Sequence, residues 1–397
     1  MTSASSAPAP LAGIKVVEFT HMVMGPTVGH ILAGLGAEIV RVEPIGGDRT
    51  RRLLGSGAGY FPMYNRGKQS ICLDLKDPEG LAVAKDLIGG ADVLIENFRP
   101  GALDRLGLDY ETLSQSNPRL IYCSEKGFLP GPYENRTALD EVAQMMGGLA
   151  YMTGPPGKPL RAGASVIDVT GGLFGVIGIL AALEERHRTG KGQKVVASLY
   201  ETTAYLVGQH MAQYAVTGTP ASPMPARVSA WAIYDVFQTQ DEPVFVGVVT
   251  DALWEKFCKL FGLDGLWADE SLRENNQRVL AREQILPSIR EMFSKMTRDE
   301  VIAKLDGTGL PFAPIGRPED LFDDPQLAAG GLEDVTLDSG EQVRLPTVPL
   351  EMGGQRIGSP QQLPTAGKDA RKVLASLGYD TDKIDALIAA GSVSESA

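Results

Sequence analysis

The sequence predicts an α/β protein with a large domain built on a doubly wound parallel sheet of Rossmann type, followed by a smaller α/β domain. Three observations predict it. Near-continuous apolar runs such as IKVVEF, EIVRVE, ADVLIE and LIYCS have the character of strands buried on both faces of a parallel sheet. They alternate with stretches of helical pattern, as β-α-β units require. A Pro/Ala/Ser-rich stretch at 219–226 separates this alternation from a second block of strands and helices.

The N-terminal segment MTSASSAPAPLAG has no charged leading region and no apolar core, so no secretory signal is expected; its small residues and prolines predict disorder over 1–11. The large domain then spans 12–200. Its first unit is a strand at Ile14–Phe19, a helix over about Gly25–Leu35 and a strand at Glu38–Glu43. Glu43 stands where a dinucleotide site would hold its ribose-binding acid, but the loop THMVMGPTVGH lacks the G-x-G-x-x-G glycines, so NAD binding is not expected. A strand follows near Cys72–Leu75. Asp77 and Pro78 then supply the cap and first position of a helix. Further strands are expected at Ala91–Glu96 and Leu120–Ser124, with a short helix near Leu103–Leu106 and another starting near Asp140. The run Gly171–Arg186 is too long for one strand and, with its glycines, reads as a buried helix too short to cross a membrane; a strand at Val195–Leu199 ends the domain.

A linker helix and loop fill 201–226, with the helix in ETTAYLVGQHMAQYAVTG. The small domain, 227–325, is expected to contain the strand pair WAIYDVFQT and EPVFVGVV and helices from Asp251, Arg282 and Arg298. The C-terminal segment, 326–397, has two strands, EDVTLD and EQVRLP, and the helices ARKVLASLG and TDKIDALIAAG.

Composition narrows the function. With 397 residues, 43% hydrophobic and 22% charged, the chain is an ordinary globular protein; its net charge of -12 argues against nucleic acid or an anionic membrane as partner. A local cluster of Arg and Lys can still receive an anionic substrate. Cys72, Cys123 and Cys258 form no C-x-x-C and no metal-ligand pattern with the four histidines, so reduced core thiols of a cytoplasmic protein, and no metal, are expected. No G-x-S-x-G, P-loop or H-E-x-x-H is present.

Two positions stand out for chemistry. His21 follows the first strand, where open α/β sheets bind ligands. Asp168 lies just ahead of the expected helix start. It is either a helix cap or a carboxylate kept ionised by the helix N-terminus and able to act as a nucleophile.

The stretch from Arg161 to Leu199, RAGASVIDVTGGLFGVIGILAALEERHRTGKGQKVVASL, resembles the core signature of the family III CoA-transferases, and the likeness continues along nearly the whole chain, including FTHMVMGP around His21. The resemblance implies that Asp168 is a covalent nucleophile, passing through an aspartyl–acyl anhydride to an aspartyl-CoA thioester. It implies that His21, Met22, Val23 and Met24 lie against CoA. Leu73, Lys76, Asn97, Phe98, Arg99 and Arg105 would hold its adenine, ribose and phosphates, joined by Arg136 and Thr137. CoA thioesters enter as substrates, with no permanently bound cofactor. Formyl-CoA transferases have Gln at the Val23 position and a phosphate-binding Arg at Pro44, for which Arg41, Arg49 or Arg136 would substitute here. Racemases of the superfamily have His where this chain has Leu139, which cannot exchange a proton, so a racemase or isomerase loses half its machinery and stands, with a non-catalytic CoA-binding homologue, only as the alternative to a transferase. The glycine-rich lid loop of formyl-CoA transferases is not visible. The run GGDRTRRLLGSGAGYF resembles members that use succinyl-CoA as donor and a short dicarboxylate as acceptor. That implies a C3–C5 diacid or sulfinate analogue and a second cation, with Arg49, Arg52, Lys126 and Arg227 as candidates. The resemblance also implies a homodimer of interlocked rings, the C-terminal segment returning to the large domain.

Overall fold

Six parallel strands organise the large unit: β1 (Lys15–Phe19), β2 (Glu38–Glu43), β3 (Lys68–Leu73), β4 (Val93–Glu96), β5 (Ile121–Lys126) and β6 (Lys194–Ser198), in the spatial order β3-β2-β1-β4-β5-β6. A seventh, two-residue strand, Val393–Ser394, adds antiparallel to β3 with Val393 opposite Leu73. This computed structural model describes residues 9–227, 229–358 and 362–395. The chain divides into two units: one runs to Pro223 and resumes at Pro325, and the other is Met224–Asp324.

The strands read as continuous apolar runs because both faces are covered. In β1, Val17 and Phe19 enter one core, with Ile71, Leu73, Val83 and Leu87, while Val16 enters the other, with Leu32, Ile95, Ile121 and Ile179. The first core is roofed by the helices Pro78–Gly89, Ala370–Ser376 and Thr381–Ala389, the second by Met24–Gly34 and Val166–Thr189. Asp77 caps the Pro78–Gly89 helix by accepting from Gly80 N–H at 3.1 Å, as its sequence foretells.

Several boundaries differ from expectation. The strand expected at Cys72–Leu75 is β3, ending at Leu73. The expected linker helix is two helices, Leu199–Leu206 and Gly208–Thr217. The helix expected at Gly171–Arg186 runs from Val166 to Thr189 and is, by length and composition, long enough to cross a membrane; its buried glycine face belongs instead to the protein core. Of the N-terminal stretch expected to be disordered, 1–8 lie outside the described residues. Leu11 is packed in the second core, and its N–H donates to Leu35 O at 2.9 Å. All three cysteines are buried and free.

The second unit has a three-stranded antiparallel sheet, Tyr234–Phe237, Val244–Gly247 and Phe312–Pro314. Its separate core includes Phe237, Trp254, Phe257, Ile289 and Phe293. The expected helices at Asp251, Arg282 and Arg298 begin at those residues. In the C-terminal stretch, Leu332–Thr336 and Gln342–Pro346 form a hairpin.

Candidate active site

Strand order reverses between β1 and β4, so the loops leaving their carboxyl ends part and open a crevice, the usual ligand position in such sheets. Asn97, after β4, stitches the two loops: its Oδ1 accepts from His21 N–H at 2.9 Å and its Nδ2 donates to His21 O at 2.8 Å. The His21 ring stacks on Phe98, centroids 5.4 Å apart. Burial lowers the His21 pKa, with Arg41 acting the same way and Asp48 and Asn97 opposing. Met22 is the one non-glycine among the described residues with positive φ, 62°. A strained backbone of that kind costs about 1–3 kcal/mol and persists only when its surroundings fix it; here Met22 N–H donates to Thr50 Oγ1 at 3.2 Å.

Beneath these loops lies a buried ionic cluster. Arg41 Nη1 donates to Glu18 Oε1 and Thr20 Oγ1, each at 2.9 Å, and its Nη2 to Thr20 O at 2.9 Å and to Asp48. It has no exposure, so Arg41 is not a phosphate ligand: its two terminal nitrogens are spent holding the 44–52 loop to β1. Glu43 is equally committed. Burial would raise its pKa, but Arg51 and Arg41, with the N–H of Asp48, overcome this and hold it at about 2. Ser70 donates to the same carboxylate at 2.6 Å, so Glu43 is not free to bind a ribose.

Two adjoining clefts open above this floor. The larger, about 780 Å³, is mostly apolar and is lined by His21, Met22, Leu73, Lys76, Phe98 and Arg49, among others. The smaller, about 310 Å³, shares His21, Met22 and Phe98 and adds Met24, Asn97, Arg99, Lys126, Arg136, Thr137 and Asp168. The structure thus brings together most of the residues singled out in the sequence, from seven separate segments. Three stand apart. Val23 is fully buried, and its carbonyl accepts from Thr27 N–H and Oγ1 at 2.9 and 2.8 Å. Arg105 is exposed beside Gly101. Arg52 donates to Gly46 O at 2.9 Å. Of the remaining cations, Lys126 is paired with Glu96 at 2.6 Å and donates to Phe98 O at 2.8 Å, Arg136 lies over the Tyr133 ring at 5.0 Å, and Arg227 belongs to the second unit.

Asp168 is the third residue of its helix, not the cap. The cap position is Ser165, whose side chain makes no capping bond. The first turn is instead satisfied from another helix, Asp140–Met146: Asp140 Oδ2 accepts from Ile167 N–H at 2.8 Å and from Asp168 N–H at 3.1 Å. Asp140 Oδ1 accepts from Gln144 Nε2 at 2.5 Å and Arg161 Nη2 at 3.1 Å, and Gln144 Oε1 accepts from Ala162 N–H at 2.8 Å. Met24, Ala143, Ile167, Ala197 and Leu199 form a small apolar cluster around this helix start. The Asp168 carboxylate has no hydrogen bond to any described residue and faces the smaller cleft. Burial, and then the Asp140 charge, push its pKa to about 7 against the pull of Arg161, so it is not the freely ionised carboxylate that its place at a helix start suggests.

The helix face below Asp168 is glycine. A Cβ on Gly171 would lie 2.6 Å from Met24 Cε, on Gly172 2.8 Å from Met24 O, and on Gly175 1.9 Å from Glu125 Oε1. These residues, three, four and seven beyond Asp168, let the start of the Met24–Gly34 helix close on the carboxylate. Glu125 is buried, and desolvation raises its pKa to about 8 although the Cys123 thiol donates to it. Asp140, Gln144, Arg161 and Glu125 are missed by motif spacing alone. The four-residue interval Asp140–Gln144 is the signal that could have flagged the first two. Leu139, 60% exposed, also lines the smaller cleft.

Among known proteins, the chain matches the model of CoA-transferase family III over residues 11–370. It is 33% identical over 392 residues to the succinate–glutarate CoA-transferase of Agrobacterium fabrum, covering 95% of this chain and 98% of that protein. It is 35% identical over 379 residues to the acetyl-CoA:oxalate CoA-transferase of Acetobacter aceti, covering 92% and 96%. A solved CaiB/BaiF family protein from Brucella suis matches with a TM-score of 0.83 and 34% identity, covering 93% of this chain and 100% of that one.

Proposed function

The chain belongs to CoA-transferase family III and is a CoA-transferase, and from that premise we propose that Asp168 carries the CoA between a donor thioester, succinyl-CoA, and a short dicarboxylic acid or sulfinate analogue. The observation that carries this reading is an unpartnered carboxylate opening on a cleft that adjoins a larger apolar cavity. An Asp168 oxygen attacks the thioester carbonyl carbon; the C–S bond breaks, giving a mixed anhydride and CoA thiolate. The thiolate attacks the Asp168 carbonyl carbon and expels the donor acid, leaving Asp168 as a CoA thioester. The acceptor carboxylate then attacks that thioester. The released thiolate attacks the acceptor's acyl carbon, forming the new acyl-CoA and restoring Asp168.

A carboxylate is a weak nucleophile, so the step needs a water-poor site and donors for the oxyanion. Met24 lines the cleft as the first residue of its helix, and its N–H has no acceptor among the described residues. In the larger cavity His21, Met22, Leu73, Lys76 and Phe98 suit the adenine and pantetheine of CoA, with Arg49 for phosphate. Arg99, Arg136 and Thr137 extend the same role in the smaller cleft. For the second carboxylate of a diacid, Lys126 is a cation that lines the same cleft as Asp168. The relatives are named for succinate, glutarate and oxalate, all short dicarboxylates. The working form is a homodimer.

Incubation with succinyl-CoA followed by hydroxylamine and mass spectrometry tests the intermediate. The expected product is a hydroxamate on the peptide containing Asp168, lost in Asp168→Ala; an active Asp168→Ala overturns the mechanism. A panel of acids with succinyl-CoA, read by chromatography of the CoA esters, identifies the acceptor.

A further inference from the structure

We propose that Asp140 is a positioning residue for this reaction: reaching in from its own helix, it fixes the backbone of Asp168 and sets a second carboxylate beside the nucleophile. The inference rests on the aspartyl reading above and adds a part to it.

A helix begins with N–H groups that need acceptors, and the usual acceptor is the side chain at the cap. Here Ser165 holds the cap position without using its side chain. In a capping box the third residue reaches back to the cap's own N–H. The third residue is Asp168, and it does not reach back, since its carboxylate bonds to no described residue. Asp140 takes over the acceptor's task with one oxygen shared between Ile167 N–H and Asp168 N–H. Its other oxygen is held by Gln144 and Arg161, so the carboxylate cannot rotate away. The imported cap therefore leaves the nucleophile's oxygens free for the cleft while anchoring the N–H of the same residue.

The arrangement also has a chemical consequence. Asp140, Arg161 and Tyr64, the last from the short helix Tyr60–Tyr64, act on Asp168 directly; the other charged or titratable groups lining its cleft are His21, Tyr60, Arg99, Glu125, Lys126, Glu134, Arg136 and Glu141. Arg161 is already engaged by Asp140 at 3.1 Å and by Glu141 at 3.5 Å, so it only partly offsets the Asp140 charge. A carboxylate held beside a second one keeps a higher proton affinity, and its ionised oxygen is correspondingly the better nucleophile.

Isotope exchange of labelled succinate into succinyl-CoA, or of the fastest acid–thioester pair from the panel, tests this without a second substrate. Asp140→Ala removes the acceptor, and the exchange rate should fall at least about thirtyfold with KM for the thioester within about threefold, as for a misplaced reacting group. Asp140→Asn keeps an acceptor oxygen but not the charge. Its rate at pH 8 should stay within about tenfold of the wild type, while the acid limb of kcat/KM moves down by about half a pH unit or more. If both variants exchange at the wild-type rate with an unmoved acid limb, the inference fails while the aspartyl reading stands. An Asp168→Ala that still exchanges overturns the aspartyl reading itself. Should Asp140→Ala lose its thermal transition, Asp140→Asn decides: a shifted limb supports positioning and an unmoved one refutes it.

Discussion

Asp168 shows how one residue is made reactive by being denied partners. It sits at a helix start, where a carboxylate is normally stabilised, yet the nearby N–H groups are taken by Asp140, and the surroundings are partly dry. The ionised form is the nucleophile, and the free-enzyme pKa is about 7. So kcat/KM should fall about thirtyfold between pH 8 and pH 5.5, and a profile flat to pH 5 counts against Asp168 as the reacting group. The same shift has a cost in stability. The folded pKa lies above the ordinary aspartate value, so the contribution of Asp168 is fully present below about pH 4 and is lost as pH rises through about 7. Asp168→Asn escapes that loss. It should be more stable than the wild type at pH 8 by on the order of 1–2 kcal/mol, discounted because the carboxylate opens on the cleft, with the advantage shrinking toward pH 5. Thermal melts of the two proteins across that range give the comparison.

The helix Val166–Thr189 is the element that turns sequence into a site. Gly172 faces the backbone oxygen of Met24, which cannot rotate away, whereas an added Cβ at Gly178 meets only the side chain of Val195. Gly172→Ala should therefore wedge the two helices apart, costing about 1–3 kcal/mol in stability and lowering exchange, while Leu173→Ala on the exposed face should leave exchange within about twofold. Equal effects at the two positions would deny the close approach its role. This element also marks how far the sequence could be read. Strand β2 and the Asp77–Pro78 helix start are legible because their causes are local: an apolar run between polar ends, a cap and a proline in order. The start of the long helix is not, because its acceptor, Asp140, lies in a different helix. Arg41 misleads for the same reason. An arginine in isolation belongs at the surface, and the partners that bury it, Glu18, Thr20 and Asp48, come from a neighbouring strand and a returning loop. Glu43 copies a nucleotide-binding acid in position, but Arg51 and Ser70 have claimed it. The cleft residues drawn from resemblance mostly converge there, since the loop ends of β1, β3, β4 and β5 share one edge of the sheet.

For the whole molecule, the surface left over argues for a second copy. The chain returns to the large unit from Pro325, and Val393–Ser394 pairs with the Cys72–Leu73 end of the β3 edge. The long helix is different. Its glycine face is buried, but Leu173, Ile177 and Leu180, spaced by four and three, stand on the other side with Ile177 59% exposed. Tyr205, Met211 and Tyr214 on the two following helices are also exposed. An apolar surface of this kind marks an interaction face, and a net charge of -12 makes an anionic lipid face a poor partner for it. The wild type should sediment as a dimer at micromolar concentration. Ile177→Lys places a charge in the middle of the stripe, where burial would cost several kcal/mol unless paired. It should shift the equilibrium toward monomer and, if the folded unit relies on its partner, lower the melting temperature in a way that rises again with protein concentration. Sedimentation equilibrium of both proteins, with flotation against neutral and anionic vesicles, separates the outcomes. A wild-type monomer that stays in the aqueous phase would mean the stripe has no use in assembly, and one that floats with vesicles would hand the same face to lipid.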